Sequence, residues 1–109
     1  MNVLDMNQLR NITLEDEDLM REIVRALVDD ASIQIGLLAE AFQREDAGEC
    51  ARLAHSARGA CGNVGAVSLA TLFSSLERQA KTGDLSRCAP DIQRLPRELE
   101  LLRTQLESI

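Results

Sequence analysis

Aromatic side chains are nearly missing from this 109-residue chain, which has no Trp, no Tyr and two Phe, Phe42 and Phe73. A β-sandwich core leans on aromatic and β-branched residues. The 45% of hydrophobic residues here, drawn mostly from Leu, Ile, Val and Ala, suits close helix packing instead. Proline is scarce too, with two residues, and β-branched residues do not cluster at alternating positions. An all-α protein is therefore predicted. The length allows one domain with one core and excludes two. No apolar run approaches the ~20 residues of a membrane span, and no basic stretch followed by an apolar one opens the chain. The expected location is the cytoplasm, with no membrane partner.

Basic residues are also in deficit, at 12 Lys and Arg against 18 Asp and Glu, a formal charge of −6. A binder of phosphate backbones needs a net basic face, so nucleic acid is excluded as a main partner. The three cysteines, Cys50, Cys61 and Cys88, are odd in number and lack metal-ligand spacing. Cys50 and Cys61 fall on one side of a helix about 16 Å apart, too far to bridge. They read as reduced core residues.

Apolar periodicity divides the chain into five helical segments. Residues 1–12 are expected to form a short helix or arm, with Asp5 as N-cap and Leu4, Leu9 and Ile12 as contacts. Thr13 to Asp16 resembles a capping box. Behind it Met20, Val24, Leu27, Ala31, Ile35, Leu38 and Phe42 mark a long amphipathic helix ending near Arg44, which Ser32 and Gly36 could bend. Asp46 and Glu49 form a second box, opening a helix that ends at Asn63 to Gly65. Leu69, Leu72, Phe73, Leu76 and Ala80 define the next, closed by Lys81 and Gly83. The last reads as one continuous seam of Leu85, Cys88, Ile92, Leu95, Leu99, Leu102, Leu106 and Ile109. Pro90 is tolerable near its first turn, and Pro96 is expected to kink it. Short connections make successive helices antiparallel. The predicted architecture is an up-down-up-down four-helix bundle over 14–107 with a short N-terminal helix, all one domain over 1–109.

The single histidine, His55, does not belong to the apolar stripe of its helix. At about 100° per residue, Cys50, Leu53, Ala57, Ala60 and Val64 fall on the far side. Ala51, Arg52, Arg58, Gly59 and Gly62 fall within roughly 60° of the imidazole. A glycine in a helix interior costs about 1 kcal/mol relative to alanine. Two of them beside an outward histidine lower the wall around the ring, so that a protein surface or a phosphoryl group can come close. Arg58 can bring a fixed positive charge to a phosphate there. A metal site shared with Cys50 and Cys61 fails, because both thiols face the other side.

Ala54-His55-Ser56-Ala57-Arg58-Gly59, then Asn63-Val64-Gly65-Ala66, then Leu69 and Leu76-Glu77 resemble the signature of the histidine-containing phosphotransfer (HPt) domain of two-component phosphorelays. Asp46 and Gly83-Asp84 fall where that family has them, and the resemblance spans most of the chain. It implies that His55 is the phosphoacceptor. His55 would take a phosphoryl group from a receiver-domain phosphoaspartate and pass it to another receiver aspartate. Arg58 replaces the family's usual Lys and would stabilise the phosphate, while Gly59 and Gly62 permit close approach. The chain would be a phosphoryl carrier rather than an enzyme, with no nucleotide site, no metal and no cofactor of its own. Mg2+ is expected on the receiver.

Expected partners are receiver domains of response regulators and hybrid histidine kinases, met by a monomer that is either free-standing or excised from a larger protein. Ala51 and Arg52 are candidate docking residues. Ile33 and Leu37 project away from their helix's main stripe. They either form an apolar patch for the receiver or seat the N-terminal helix. The alternative function is an adaptor or inhibitor that binds a kinase or receiver through the same face without transferring phosphate.

Overall fold

A computed structural model describes residues 2–109, so the start of the expected arm at Met1 lies outside the described residues. Five α-helices follow in order: α1 (Met6–Ile12), α2 (Glu17–Gln43), α3 (Ala47–Val64), α4 (Val67–Lys81) and α5 (Ala89–Glu107), with a 3-10 turn at Leu85–Cys88 before α5. At 1.5 Å per residue, 27-residue α2 is about 40 Å long and accounts for the 42 Å long dimension of the molecule. In the bundle α2 packs on α3, α3 on α4, α4 on α5, and α5 closes back on α2. The predicted four-helix bundle is what forms. Its centre holds Phe73, Leu38, Leu69, Leu76, Leu95, Leu102 and Val24, all fully buried.

Each turn has a local cause. Asp46 caps α3 by accepting from the Glu49 N–H at 3.0 Å, but Glu49 does not return the bond. Its carboxylate instead holds Arg52, so only half of the expected box forms. Gly65 ends α3 in the left-handed region (φ 96°), where a β-carbon would also sit 3.1 Å from the Asp5 carbonyl oxygen. That close approach lets the N-terminal arm clasp the end of α3. The Asp5 N–H donates to the Gly65 carbonyl at 2.7 Å, and Gln8 Nε2 donates to the carbonyl of Gly62 at 2.7 Å. Asp5 caps α1 as expected, and Leu4 and Leu9 are buried.

Three local expectations give way. Thr13 does not open α2; it is buried at the end of α1, with Oγ1 donating to the Leu9 carbonyl, and Asp16 caps α2 instead. Asp16 wins because Leu14 and Glu15 adopt left-handed backbone, which delays the helix start. Ile12 is exposed rather than a contact. The last helix is not continuous from Leu85, because Pro90 lacks an N–H and its ring would crowd the Ser86 carbonyl in an α-helix. Leu85 to Cys88 therefore form the tighter turn, capped by Asp84, and α5 starts with Pro90 in its first turn. Helix α5 continues through Pro96.

Candidate functional site

His55 projects from the middle of α3 with its side chain 63% exposed. Leu53, Ala54, Ala57 and Cys61 are buried on the same helix, which fixes its rotation and leaves the imidazole outward. The ring is not free on that surface. Nδ1 lies 2.9 Å from Oε2 of Glu77, a residue of α4 that is only 6% exposed. Phe73, Leu76 and Ala80, all buried, hold the face of α4 from which Glu77 meets α3.

A carboxylate this little exposed must be paired. Three groups do so here. Lys81 Nζ lies 2.9 Å from Oε2, His55 Nδ1 lies 2.9 Å from the same oxygen, and Arg58 Nε lies 3.1 Å from Oε1. The hydrogen bond from Lys81 and then that from His55 hold the Glu77 carboxyl below its usual range, against the opposing effect of burial.

Arg58 also places Nη2 3.0 Å from His55 Nδ1. One ring nitrogen cannot donate to Glu77 and accept from Arg58 at once. Ionised carboxylates only accept, so the Glu77 contact puts the proton on Nδ1, and Arg58 is then a neighbouring charge rather than a donor. Nε2 keeps its lone pair and has no hydrogen-bond partner among the described residues.

Gly59 and Gly62 are exposed, and a β-carbon on either would meet nothing within 4 Å. The fold itself does not demand glycine at these positions. Arg52 is bound to Glu49 rather than hydrogen-bonded to the ring, while Ala51 is half-buried beside it in sequence. Ile33 and Leu37 are exposed on α2, at 62% and 42%, and α1 packs on α3 instead, so they do not seat the N-terminal helix. Gly36 lies between them in sequence, also with open space where a β-carbon would be. The thiols of Cys50, Cys61 and Cys88 are free and buried, and burial pushes that of Cys61 up to about 12. Among the described residues no group of three His, Cys, Asp or Glu could hold a metal ion. Among the same residues no helix is long and apolar enough to cross a membrane.

The structure places Arg58 beside His55. Sequence reasoning takes Glu77 only as part of the signature and Lys81 only as a helix-closing residue, and gives neither a part in the site. The available signal was a Glu and a Lys four residues apart, with the Glu directly after a core leucine.

Residues 22–105 match the family model described as the Hpt domain. The fold is similar to the crystal structure of histidine-containing phosphotransfer protein B (HptB) from Pseudomonas aeruginosa PAO1. The TM-score is 0.89 at 30% sequence identity, over 97% of this chain and 92% of that one. Comparison with curated proteins gives no match. The bundle, the match over most of its length and the likeness to a solved phosphotransfer protein agree: this chain belongs to the Hpt domain family.

Proposed function

We propose that this protein is a phosphorelay shuttle that accepts a phosphoryl group on His55 from the phosphoaspartate of one receiver domain and delivers it to the aspartate of another. The observation that carries this reading is the exposed imidazole whose Nδ1 lies 2.9 Å from buried Glu77, a contact that assigns the proton to Nδ1 and leaves Nε2 without a hydrogen-bond partner among the described residues. In the forward step Nε2 attacks phosphorus in line with the departing aspartate oxygen. The Nε2–P bond forms, the P–O bond breaks, and the electron pair leaves on the receiver carboxylate. Positive charge develops on the ring beside Glu77, and Arg58 is close enough to turn toward the phosphoryl oxygens.

Mg2+ bound by the receiver would offset charge on the transferring group, so this chain needs no metal of its own. Gly59 and Gly62 leave room for the receiver's active-site loops. Ile33 and Leu37 on α2, with Ala51 and Arg52 on α3, would form the surrounding contact in a one-to-one complex between a monomer and a cytoplasmic receiver domain. The histidine phosphotransfer protein that this chain resembles supports the reading at the level of class.

The test is incubation with phosphorylated receivers while label is followed onto this chain. Acid-labile, base-stable label is expected on the wild type and none on His55→Gln. A wild type that bound receivers but accepted label from none of them would be an adaptor instead.

A further inference from the structure

The group on His55 Nδ1 is more than a device for orienting the ring. A backbone carbonyl or a side-chain amide would hold the same tautomer without a charge. Glu77 is an ionised carboxylate with little exposure to water, and its oxygen is 2.9 Å from Nδ1. That charge matters most after phosphoryl transfer. With phosphorus on Nε2, a ring that keeps its Nδ1 proton is cationic and departs as neutral imidazole. A ring that has lost the proton must depart as an imidazolide anion, a far poorer leaving group. A carboxylate bonded to Nδ1 favours the first form.

We propose that Glu77 keeps phosphorylated His55 protonated at Nδ1 and thereby makes this protein a labile, fast-discharging phosphoryl donor rather than a long-lived phosphate store. The inference rests on the phosphoacceptor role of His55.

Charges around the ring act in both directions. On α4, Lys81 shares Oε2 with the ring and weakens the hold of Glu77 on the proton. On α3, Arg58 is a second opposing cation, while Arg52 is occupied by Glu49. Neither α1 nor α2 supplies the ring with a hydrogen bond or ion pair among the described residues. Glu77 touches the ring directly, whereas Lys81 reaches it only through the carboxylate. Once a phosphoryl group is present, its own negative charge draws Arg58 and further favours the cationic ring. The discharge step balances without another reactant. An acceptor carboxylate oxygen, or water in hydrolysis, attacks phosphorus; the P–Nε2 bond breaks; the electron pair returns to Nε2; Nδ1 keeps its proton.

The experiment loads the intact protein with phosphoramidate, a small donor that needs no receiver. Donor is removed and loss of phosphohistidine is followed over about pH 6 to 9, spanning ordinary imidazole titration and beyond. Wild-type decay should stay fast to higher pH than that of Glu77→Gln. Near pH 8 the variant's phosphohistidine should last about tenfold longer, one pH unit of displaced titration. If the variant acted only by freeing Arg58 and Lys81 to bind phosphate, decay would slow equally at every pH, and that result overturns the proposal. So would superimposable profiles. Lys81→Gln removes an opposing cation and should extend fast decay to higher pH; a shift the other way also overturns it, even if Glu77→Gln folds poorly. Absence of label from wild-type His55 would instead overturn the phosphoacceptor reading.

Discussion

His55 and Glu77, on different helices, meet through a single contact of 2.9 Å between Nδ1 and Oε2. The contact ties the exposed ring to the least exposed carboxylate of the bundle, and through it to Lys81 and Arg58. The core fixes its geometry, because α3 packs on α4 and Phe73 and Leu76 on α4 and Leu53 and Ala57 on α3 are all buried. The His55 side chain is therefore positioned by packing from below and by charge from one side, and the rest of the ring is exposed.

Glu77 should also set part of the acid stability. Its carboxyl is held below the ordinary value by Lys81 and His55, so its ionised form is favoured in the folded state. The stabilisation is present above the unfolded value of about 4.5 and is lost as pH falls through the lower folded value. Thermal unfolding at several pH values should show the wild type ahead of Glu77→Gln at neutral pH. The gap should close in acid. A gap that persisted unchanged into acid would mean that the carboxylate charge contributes nothing.

Arg58→Ala should slow transfer from a phosphorylated receiver by roughly ten- to a hundredfold, the worth of about 1.5–3 kcal/mol for a hydrogen bond to a charged group. The midpoint of unfolding should change little, because Glu77 retains Lys81 and His55 as partners. Arg58→Lys should recover most of the rate if charge is what counts, and little if the planar fork is required. Single-turnover transfer kinetics separate these outcomes, and an unchanged rate in Arg58→Ala would remove the residue from the mechanism.

The long helices are legible in the sequence because apolar residues recur at three and four and each run is punctuated by Asp, Asn or Gly. His55 stands out for the opposite reason, as a polar residue opposite the stripe. Glu77 appears in the signature, but its place at the ring is hidden: it adjoins a core leucine, and helix periodicity alone does not say that His55 and Arg58 of α3 meet it. The pairing of Glu77 with His55 depends on the rotation of α3 against α4, a long-range property. The α2 start is not legible for a local reason: two left-handed residues, Leu14 and Glu15, lie between Thr13 and the cap Asp16. Neither is a glycine, so residue type carried no warning.

The clasp between the N-terminal arm and α3 predicts that Gly65→Ala destabilises the fold. An alanine there must keep φ near 96° and place its β-carbon 3.1 Å from the Asp5 carbonyl oxygen. Left-handed strain of this kind costs of order 1–3 kcal/mol. Denaturant unfolding should register the loss, while Gln8→Ala, which removes only the hydrogen bonds to Gly62 and Asn63, should cost about 1 kcal/mol. Equal stability of Gly65→Ala and wild type would show that the arm moves aside without penalty.

Gly59→Ala and Gly62→Ala separate the needs of the fold from those of a partner. Neither new β-carbon meets an atom within 4 Å, and alanine is favoured over glycine in a helix by about 1 kcal/mol. Each variant should therefore melt a few degrees higher, about 4–8 °C for that gain in a domain of this size. Loading by phosphoramidate should be preserved, because a small donor does not need the cleared surface. Transfer from a receiver domain should slow, most of all when the side chain is enlarged to Leu at either position. A Leu variant that exchanged phosphate with receivers at the wild-type rate would show that the docked partner does not approach α3 along this face, and the receiver contact would have to lie elsewhere around His55.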